Sequence, residues 1–319
     1  MMRARRRRAF DADSVSGASL GPAPGEVNLQ EPPIQWTATP LDPGLYIVAT
    51  PIGTARDITL RGLDILASAE ILAAEDTRSL RHLMTLHGVA LGGRPLLSYH
   101  DHNGERMRPR LMRALEEGRS VAYASEAGTP LVADPGYALV RAATAAGHPV
   151  TAAPGASAVL AALTVSGLPS DRFHFAGFPP SAAAARARFL GGLATIGATL
   201  ILFESPRRVG RLLTELVQHL GGERDAVLCR ELTKRFEEVR RGTLETLAAE
   251  FADRPVKGEI VVLIDRAAPV ARSETEMEDA LRETMKDKPL KQAVAETAAR
   301  LDLPRRQVYQ AALRLKGET

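Results

Sequence analysis

The stretch SEAGTPLVADPG occupies residues 125–136 and directly follows the apolar run SVAYA at residues 120–124. Its two glycines and two prolines disfavour both helix and strand, so the pattern predicts a loop at the C-terminal end of a buried strand. Ligands of open α/β sheets bind at that edge. Gly128 would let a ligand approach the backbone closely, because glycine has no Cβ. The alternative interpretation is a plain connection between two elements.

The composition is typical of a globular protein with room for two domains. The chain has 319 residues, of which 45% are hydrophobic and 25% charged, and domains usually hold about 100–200 residues. Its one cysteine, Cys229, excludes an intrachain disulfide framework and is typical of a reducing compartment. The sequence holds no run of about 18 apolar residues, so no membrane-spanning segment is predicted. We therefore expect a cytoplasmic protein.

Short apolar runs alternate with amphipathic stretches along the first part of the chain. Strands are predicted at residues 44–49, 71–74, 96–99, 120–124 and 149–152, with helices between them. This alternation predicts a parallel sheet covered by helices. After residue 157 the pattern indicates a second α/β region with more antiparallel character. The predicted parts are an N-terminal α/β domain at 43–156, a second α/β domain at 157–267 and a helical, helix-turn-helix-like tail at 275–319.

The first 42 residues are rich in Gly, Pro, Ser and Ala and show no periodicity, which predicts disorder. No apolar stretch of signal-peptide length occurs in them, so secretion is not expected. A basic arm either contacts the phosphates of a polyanion or reflects a misplaced start of the reading frame. Its arginines are Arg3, Arg5, Arg6, Arg7 and Arg8.

Polar loops follow four of the predicted strands. They lie at residues 50–54, 75–78, 98–103 and 125–136. Because the carboxyl ends of parallel strands share one edge of a sheet, these loops are expected to converge on one site.

Titratable side chains occur in two of these loops. Glu75 and Asp76 are suited to binding a ribose hydroxyl or to base catalysis, or alternatively to capping the next helix. His100, Asp101 and His102 are suited to substrate contact or acid–base work, with helix capping as the alternative. No partner motif supplies the further ligands that a metal site needs, so no metal is expected. The Gly-x-Gly-x-x-Gly and Walker patterns are also absent after the first strand.

Nine short motifs together resemble the tetrapyrrole-methylase superfamily, and within it the branch of small-subunit ribosomal RNA methyltransferases I. They are TPIG at 50–53, AEDTR at 74–78, SEAGTP at 125–130, DPG at 134–136, PG at 154–155, GLPSDRF at 167–173, FES at 203–205, RELTK at 230–234 and KGE at 257–259. The resemblance covers about residues 44–267 and the C-terminal helices. One departure is Glu126, where the branch usually has aspartate.

This resemblance implies a homodimeric enzyme of two α/β domains with S-adenosylmethionine in the cleft between them. The branch methylates a ribose 2′-hydroxyl of a cytidine in small-subunit ribosomal RNA, either free or in the assembled subunit. The positions that match the family's cofactor site are Pro51, Ser125, Ala127, Gly128, Thr129, Val132, Ser157, Ala158 and Glu204.

Methyl transfer from a sulfonium is an in-line displacement, so positioning contributes much of the catalysis. A ribose hydroxyl is a poor nucleophile, which calls for a base or a charged group beside it. The candidates for that role are Asp76, His100, Asp101, Glu204 and Lys234. A structural salt bridge is the alternative for Glu204 and Lys234.

RNA phosphates are expected to contact exposed cations. The candidates are Arg78, Arg81, Arg207, Arg208, Lys234 and Arg235, with Arg305, Arg306 and Lys316 in the tail. An ordinary solvated basic surface is the alternative for each. Two other functions remain open at this point: methylation of a tetrapyrrole, and RNA binding without catalysis.

Overall fold

The computed structural model describes residues 35–267, 274–301 and 303–317. Residues 1–34, which include the basic arm and are predicted to be disordered, and residues 268–273, between the second domain and the tail, lie outside the described residues. Residues 37–42, which were also predicted to be disordered, lie against the first helix of the fold. There the backbone N–H of Thr37 donates to Asp64 Oδ1 at 2.6 Å, and that of Thr39 donates to Ser68 Oγ at 3.0 Å. The packed chain therefore begins N-terminal to the predicted boundary at residue 43.

The first domain is built on a five-stranded sheet in which every neighbouring pair is parallel. Its strands are β1 (Gly44–Val48), β2 (Ile71–Ala74), β3 (Leu96–Ser98), β4 (Ser120–Ala124) and β5 (Val150–Ala153). They lie in the order β3-β2-β4-β1-β5. Every residue of β2 and β4 is buried, as expected for parallel strands covered on both faces. The carboxyl ends of all five strands therefore lie at one edge of the sheet, as the sequence pattern predicted.

Four helices cover this sheet: α1 (Leu60–Ser68), α2 (Thr77–Leu86), α3 (Gly104–Glu116) and α4 (Tyr137–Ala145). The Thr59 side chain caps α1 by accepting the Gly62 N–H at 3.0 Å. Asp76 caps α2 by accepting the Arg78 N–H at 2.7 Å. Aliphatic side chains of α3 and α4 pack around Tyr123 in the middle of the core. Capping chemistry and the burial of one helical face thus explain where these helices begin and pack.

The second sheet has the strand order β6-β7-β10-β8-β9 and is mixed. Its strands are β6 (Phe173–Gly177), β7 (Thr199–Glu204), β8 (Asp225–Arg230), β9 (Glu238–Thr243) and β10 (Ile260–Ile264). Only β6 and β7 pair in parallel, whereas the other neighbours are antiparallel. The associated helices are α5 (Ala158–Ser166), α6 (Ala183–Leu193), α7 (Val209–Leu220) and α8 (Leu244–Phe251). The predicted α/β class and the antiparallel character of this region are confirmed.

Helix α5 joins the two sheets. Its buried residues Val159 and Leu163 pack with Ile52 from the first domain and with Ile201 and Val261 from the second sheet. The loop after β1 therefore rests on the same apolar cluster as the centre of the second sheet. This packing holds the two sheet edges close to each other.

The tail consists of α9 (Glu274–Met285), α10 (Leu290–Leu301) and α11 (Arg305–Gly317). Within the described part of the chain, these helices and their connections form an apolar cluster of their own, which includes Met277, Leu281, Val294, Val308 and Ala312. These three helices occupy the part of the chain that the sequence predicts to be a helical tail. Among the described residues, no helix is long and apolar enough to cross a membrane.

Gly210 allows α7 to approach α8 closely. A Cβ added at Gly210 would lie 2.6 Å from the Phe251 carbonyl oxygen, which is a backbone atom and cannot swing away. We expect Gly210→Ala to lower the free energy of unfolding by about 1–3 kcal/mol through overpacking, measured from the midpoint of urea unfolding. The matched control is Gly192→Ala in α6, where an added Cβ meets no atom within 4 Å. Equal midpoints for the two variants would contradict this packing.

Candidate active site

A cavity of about 410 Å³ lies between the loop edge of the first sheet and the second sheet. The first domain and the start of α5 contribute Ile52, Glu75 and residues 126–129, 132–134 and 157–159. The second domain contributes Phe178 and residues 203–206 and 258–261. The cavity is therefore a cleft with one wall from each domain.

The loop at 125–136 is folded back onto the loop that follows β1. Thr50 and Gly128 exchange two backbone hydrogen bonds, of 2.9 and 3.0 Å. Ser125 Oγ donates to the Gly128 carbonyl at 2.7 Å, and Thr129 Oγ1 donates to the Ala156 carbonyl at 2.9 Å. Three loops of the sheet edge are thereby joined into one rigid wall.

The backbone of this loop adopts conformations that most side chains disfavour. Gly128 has φ +83°, and a Cβ there would lie 3.2 Å from Ile52 Cγ2. Leu131 and Ala133 have φ of 71° and 60°, in the left-handed region. Such non-glycine residues typically cost about 1–3 kcal/mol each and persist where the surroundings enforce them. Leu131 and Ala133 lie in the loop that is anchored by the bonds of Gly128 to Thr50 and of Thr129 to Ala156.

Carboxylates give the first-domain wall its chemical character. Glu75, Glu126 and Asp134 all line the cavity. Burial, reinforced by the charges of Glu75, Glu126 and Asp101, raises the pKa of Asp134 to about 7. Burial also raises the pKa of Glu75, although the Glu126 N–H, which donates to Glu75 at 3.4 Å, opposes that rise. A cavity of this kind favours a cationic ligand, which would lower the pKa values of these carboxyl groups.

Glu204 ends β7 at the cavity and is held in a buried ion network. It is 2% exposed. Its Oε2 accepts from Arg186 Nη1 at 3.0 Å, and its Oε1 contacts Arg208 Nη2 at 2.7 Å and accepts the Ser205 N–H at 2.8 Å. Arg186 in α6 also donates to Glu215. Because both carboxylate oxygens are occupied, this geometry favours the salt-bridge alternative for Glu204, which positions residues 203–206.

Lys234 forms ion pairs beside the cavity. Its Nζ lies 2.9 Å from Glu231 Oε1 and 3.2 Å from Glu259 Oε2. Burial lowers the pKa of Lys234, but the two carboxylates outweigh burial and raise it above its ordinary value. The amine therefore stays protonated at neutral pH and is unsuited to act as a base.

The other catalytic candidates lie outside the cavity lining. Asp76 caps α2 and pairs with Arg78 at 3.2 Å; its hydrogen bonds from Arg78 lower its pKa. His100 follows β3, and its backbone N–H donates to Asn103 Oδ1 at 2.9 Å. Asp101 is exposed but close enough to raise the pKa of Asp134. Among the described residues, no three His, Cys, Asp or Glu side chains are grouped to hold a metal ion.

The structure thus brings together most of the positions that the resemblance marks for the cofactor. Those at the cavity are Ala127, Gly128, Thr129, Val132, Ser157, Ala158 and Glu204, whereas Pro51 and Ser125 are not among the residues that line it. Of the proposed RNA contacts, Arg78, Arg81, Arg207 and Arg235 are exposed, and Arg208 is partly buried against Glu204.

Sequence reasoning did not single out several lining residues. The sequence shows Asp134 only within the DPG motif, because its raised pKa arises from burial and from Glu75, Glu126 and Asp101, which the fold brings close. Phe178, Phe203 and Glu259 also line the cavity. The only available signal for Phe178 was the phenylalanine-rich character of the segment that contains β6.

The comparisons with known proteins agree with the predicted resemblance. Residues 44–248 match the family model Tetrapyrrole (Corrin/Porphyrin) Methylases, and residues 271–316 match the RsmI C-terminal HTH domain. The Ribosomal RNA small subunit methyltransferase I of Mesorhizobium japonicum is 48% identical over 88% of this chain and 94% of its own length. The protein of that name from Synechocystis sp. is 41% identical over 86% of this chain and 99% of its own.

A solved structure shares the fold. The methyltransferase CobJ has a TM-score of 0.55 with 20% sequence identity, over 74% of this chain and 95% of that chain. An identity this low supports the fold alone. The family model and the full-length relatives support more, and they confirm the predicted resemblance: this chain belongs to the family of Tetrapyrrole (Corrin/Porphyrin) Methylases.

Proposed function

We propose that this protein is an S-adenosylmethionine-dependent methyltransferase that modifies a ribose 2′-hydroxyl of a cytidine in small-subunit ribosomal RNA. The observation that carries the proposal is the similarity, along almost their whole length, to relatives named Ribosomal RNA small subunit methyltransferase I. Small-molecule tetrapyrrole methylation is the alternative, because the family name includes such enzymes. The exposed arginines around the cleft favour a polyanionic substrate.

The residues of the cleft fit this cofactor. When bound, S-adenosylmethionine supplies a methyl group activated by a sulfonium cation. Glu75, Glu126 and Asp134 provide the negative charge that complements such a cation. Gly128 leaves space at the wall that a Cβ would fill against Ile52. Ser157 and Ala158 at the start of α5 complete the same wall.

Asp134 is our candidate for accepting the proton of the 2′-hydroxyl. It lines the cavity, and a bound sulfonium would lower its pKa from about 7, so that the carboxylate is ionised and can accept a proton at neutral pH. Residues 126–129 and 157–158 would hold the cofactor, which would supply the methyl group to the ribose oxygen, and the Asp134 carboxylate would accept the proton that the hydroxyl loses. Glu204 and Lys234 act as fixed charges that hold the second-domain wall in place. Asp76 orients α2 and its cations.

RNA contacts are assigned to cations around the cleft and in the tail. Arg78 and Arg81 lie on α2, which begins at the loop edge of the first sheet. Arg207 directly follows Pro206 of the cavity wall. Arg305, Arg306 and Lys316 are exposed on α11. Such cations position a nucleic acid through its phosphates, whereas base contacts supply selectivity.

We further propose that the protein acts as a homodimer in the cytoplasm, where small ribosomal subunits are found. Leu160 on α5 is 54% exposed, and Val150 on the edge strand β5 is 36% exposed. Both apolar side chains are available for burial against a second copy.

The proposed activity is tested by incubating the protein with methyl-labelled cofactor and either unmethylated small ribosomal subunits or a tetrapyrrole precursor. We expect label in the ribosomal RNA, on the ribose of a cytidine. Label in the tetrapyrrole alone would overturn the proposal, and label in neither would favour a non-catalytic RNA-binding protein.

Gly128→Val should lose cofactor affinity, measured by calorimetry, because the added side chain meets Ile52. Gly147→Val is the control, since Gly147 has a similar φ of +78° but open space around it.

Asp134→Asn should lower kcat by about 100-fold or more, the usual contribution of a general base. The free energy of unfolding of this variant should rise at neutral pH, although its kcat falls. Wild-type Asp134 has an ordinary pKa of 3.8 when unfolded and about 7 when folded, so wild type loses stability as pH rises through this interval. The free energy of unfolding of the variant should equal that of wild type below about pH 4. Its excess over wild type should grow between about pH 4 and pH 7 and stay constant above about pH 7. Thermal unfolding at three pH values measures this, and an active variant at pH 8 would contradict the assignment.

The assembly is tested by multi-angle light scattering at micromolar concentration. We expect twice the chain mass of 34.2 kDa. A mass of one chain would contradict the dimer, and Leu160→Asp should shift the mass from two chains towards one.

A further inference from the structure

We propose that Phe178 is a stacking platform for a nucleobase of the RNA strand at the mouth of the cleft. This inference rests on the proposed function and adds to it a residue that selects and positions the nucleotide. Three features of the structure support this role of Phe178: the backbone that presents the ring, the aromatic contacts that orient it, and the charges around it.

The backbone before Phe178 directs this residue out of the sheet. Strand β6 loses its register against β7 between Phe175 and Gly177. Gly177 then adopts φ +71°, in the left-handed region. Irregularities of this kind bend a strand and re-aim the side chain that follows. Pro179 and Pro180 come next and restrict the chain beyond the ring.

The ring is oriented by other aromatic side chains while most of it stays accessible. The Phe178 and Phe203 ring centroids are 5.5 Å apart at an interplanar angle of 64°. Phe203 makes a similar edge contact with Phe175, at 4.9 Å and 64°. Phe178 nevertheless remains 52% exposed and lines the cavity. An aromatic ring with a fixed orientation and an open surface is the form of side chain on which unpaired bases stack.

The surroundings favour an RNA base over the cofactor as the occupant. The predicted cofactor loop lies on the opposite wall, where Gly128 and Ala158 are largely covered by protein. Phe178 belongs to the second-domain wall, together with Ser205 and Pro206, and the exposed Arg207 follows directly. An exposed ring on a wall whose chain continues into an exposed cation matches a nucleotide, whose base stacks while its phosphate pairs. Catalysis at a ribose hydroxyl also requires that the nucleotide be held in place.

Phe178→Ala should raise the KM for small ribosomal subunits by about 5- to 150-fold, the range reported for loss of one base stack. The cofactor Kd and kcat at saturating RNA should change less than threefold. Phe178→Tyr should restore the wild-type KM, because it keeps the aromatic face, whereas Phe178→Leu should not. The matched control is Phe173→Ala, which removes a phenylalanine that is 44% exposed at the start of the strand leading to Phe178 but absent from the cavity lining.

Phe178→Trp provides a spectroscopic readout. The native chain has one tryptophan, so the added indole can be followed above a single background signal. Adding RNA to this variant should quench the new fluorescence, and adding cofactor alone should not.

Two results would overturn the stacking role: an unchanged RNA KM in Phe178→Ala, or a loss confined to cofactor affinity. Both presuppose that wild type methylates RNA. Failure of wild type to transfer label to RNA would instead remove the proposed function, so the two failures are distinguishable.

Discussion

The backbone bridge between Thr50 and Gly128 is the constraint on which the site depends. It joins the loop after β1 to the loop after β4, two neighbouring parallel strands. Ser125 and Thr129 add side-chain hydrogen bonds in the same region. These bonds anchor the loop that carries the left-handed backbone at Leu131 and Ala133 and the cavity-lining carboxylate of Asp134. A parallel sheet brings the loops together, but these specific bonds define the shape of the wall.

Charge is divided between the interior of the cleft and its surroundings. Carboxylates of the first domain line the cavity, whereas the exposed arginines lie outside its lining. Glu204 also lines the cavity, from the second domain, but buried Arg186 and partly buried Arg208 neutralise its charge. A buried ion pair contributes little net stability, since desolvation offsets the attraction. Its contribution here is geometric: it holds residues 203–206, and therefore Phe203, in one arrangement against the cleft.

The sequence predicted the features that depend on local patterns and shared edges. Apolar runs and glycine-proline loops correctly predicted the parallel sheet, and the ordered motifs correctly predicted the family. Local sequence patterns do not predict the surroundings of an individual charged side chain, because these depend on tertiary packing. Arg186 lies in an alanine-rich helix and reads as a solvated cation, yet packing buries it against Glu204 and Glu215. The pKa of Asp134 likewise depends on Glu75 and Asp101, which only the folded sheet brings close. The site residues themselves remain predictions that the proposed variants test.

The exposed cations of the C-terminal tail favour a large substrate over a small one. A tetrapyrrole could be enclosed by the cleft and would need no contact with the tail. Yet α9–α11 form their own apolar core, and α11 turns Arg305, Arg306 and Lys316 outward. A separately stabilised basic helix contributes nothing to a reaction confined to one cavity. It does contribute when the substrate is a polyanion that extends beyond the cleft, because each additional phosphate contact releases counterions and strengthens binding. The acidic cavity then matters in a second way: it repels phosphates, so that an RNA strand can present a nucleoside to the cleft while its backbone stays on the basic surface outside.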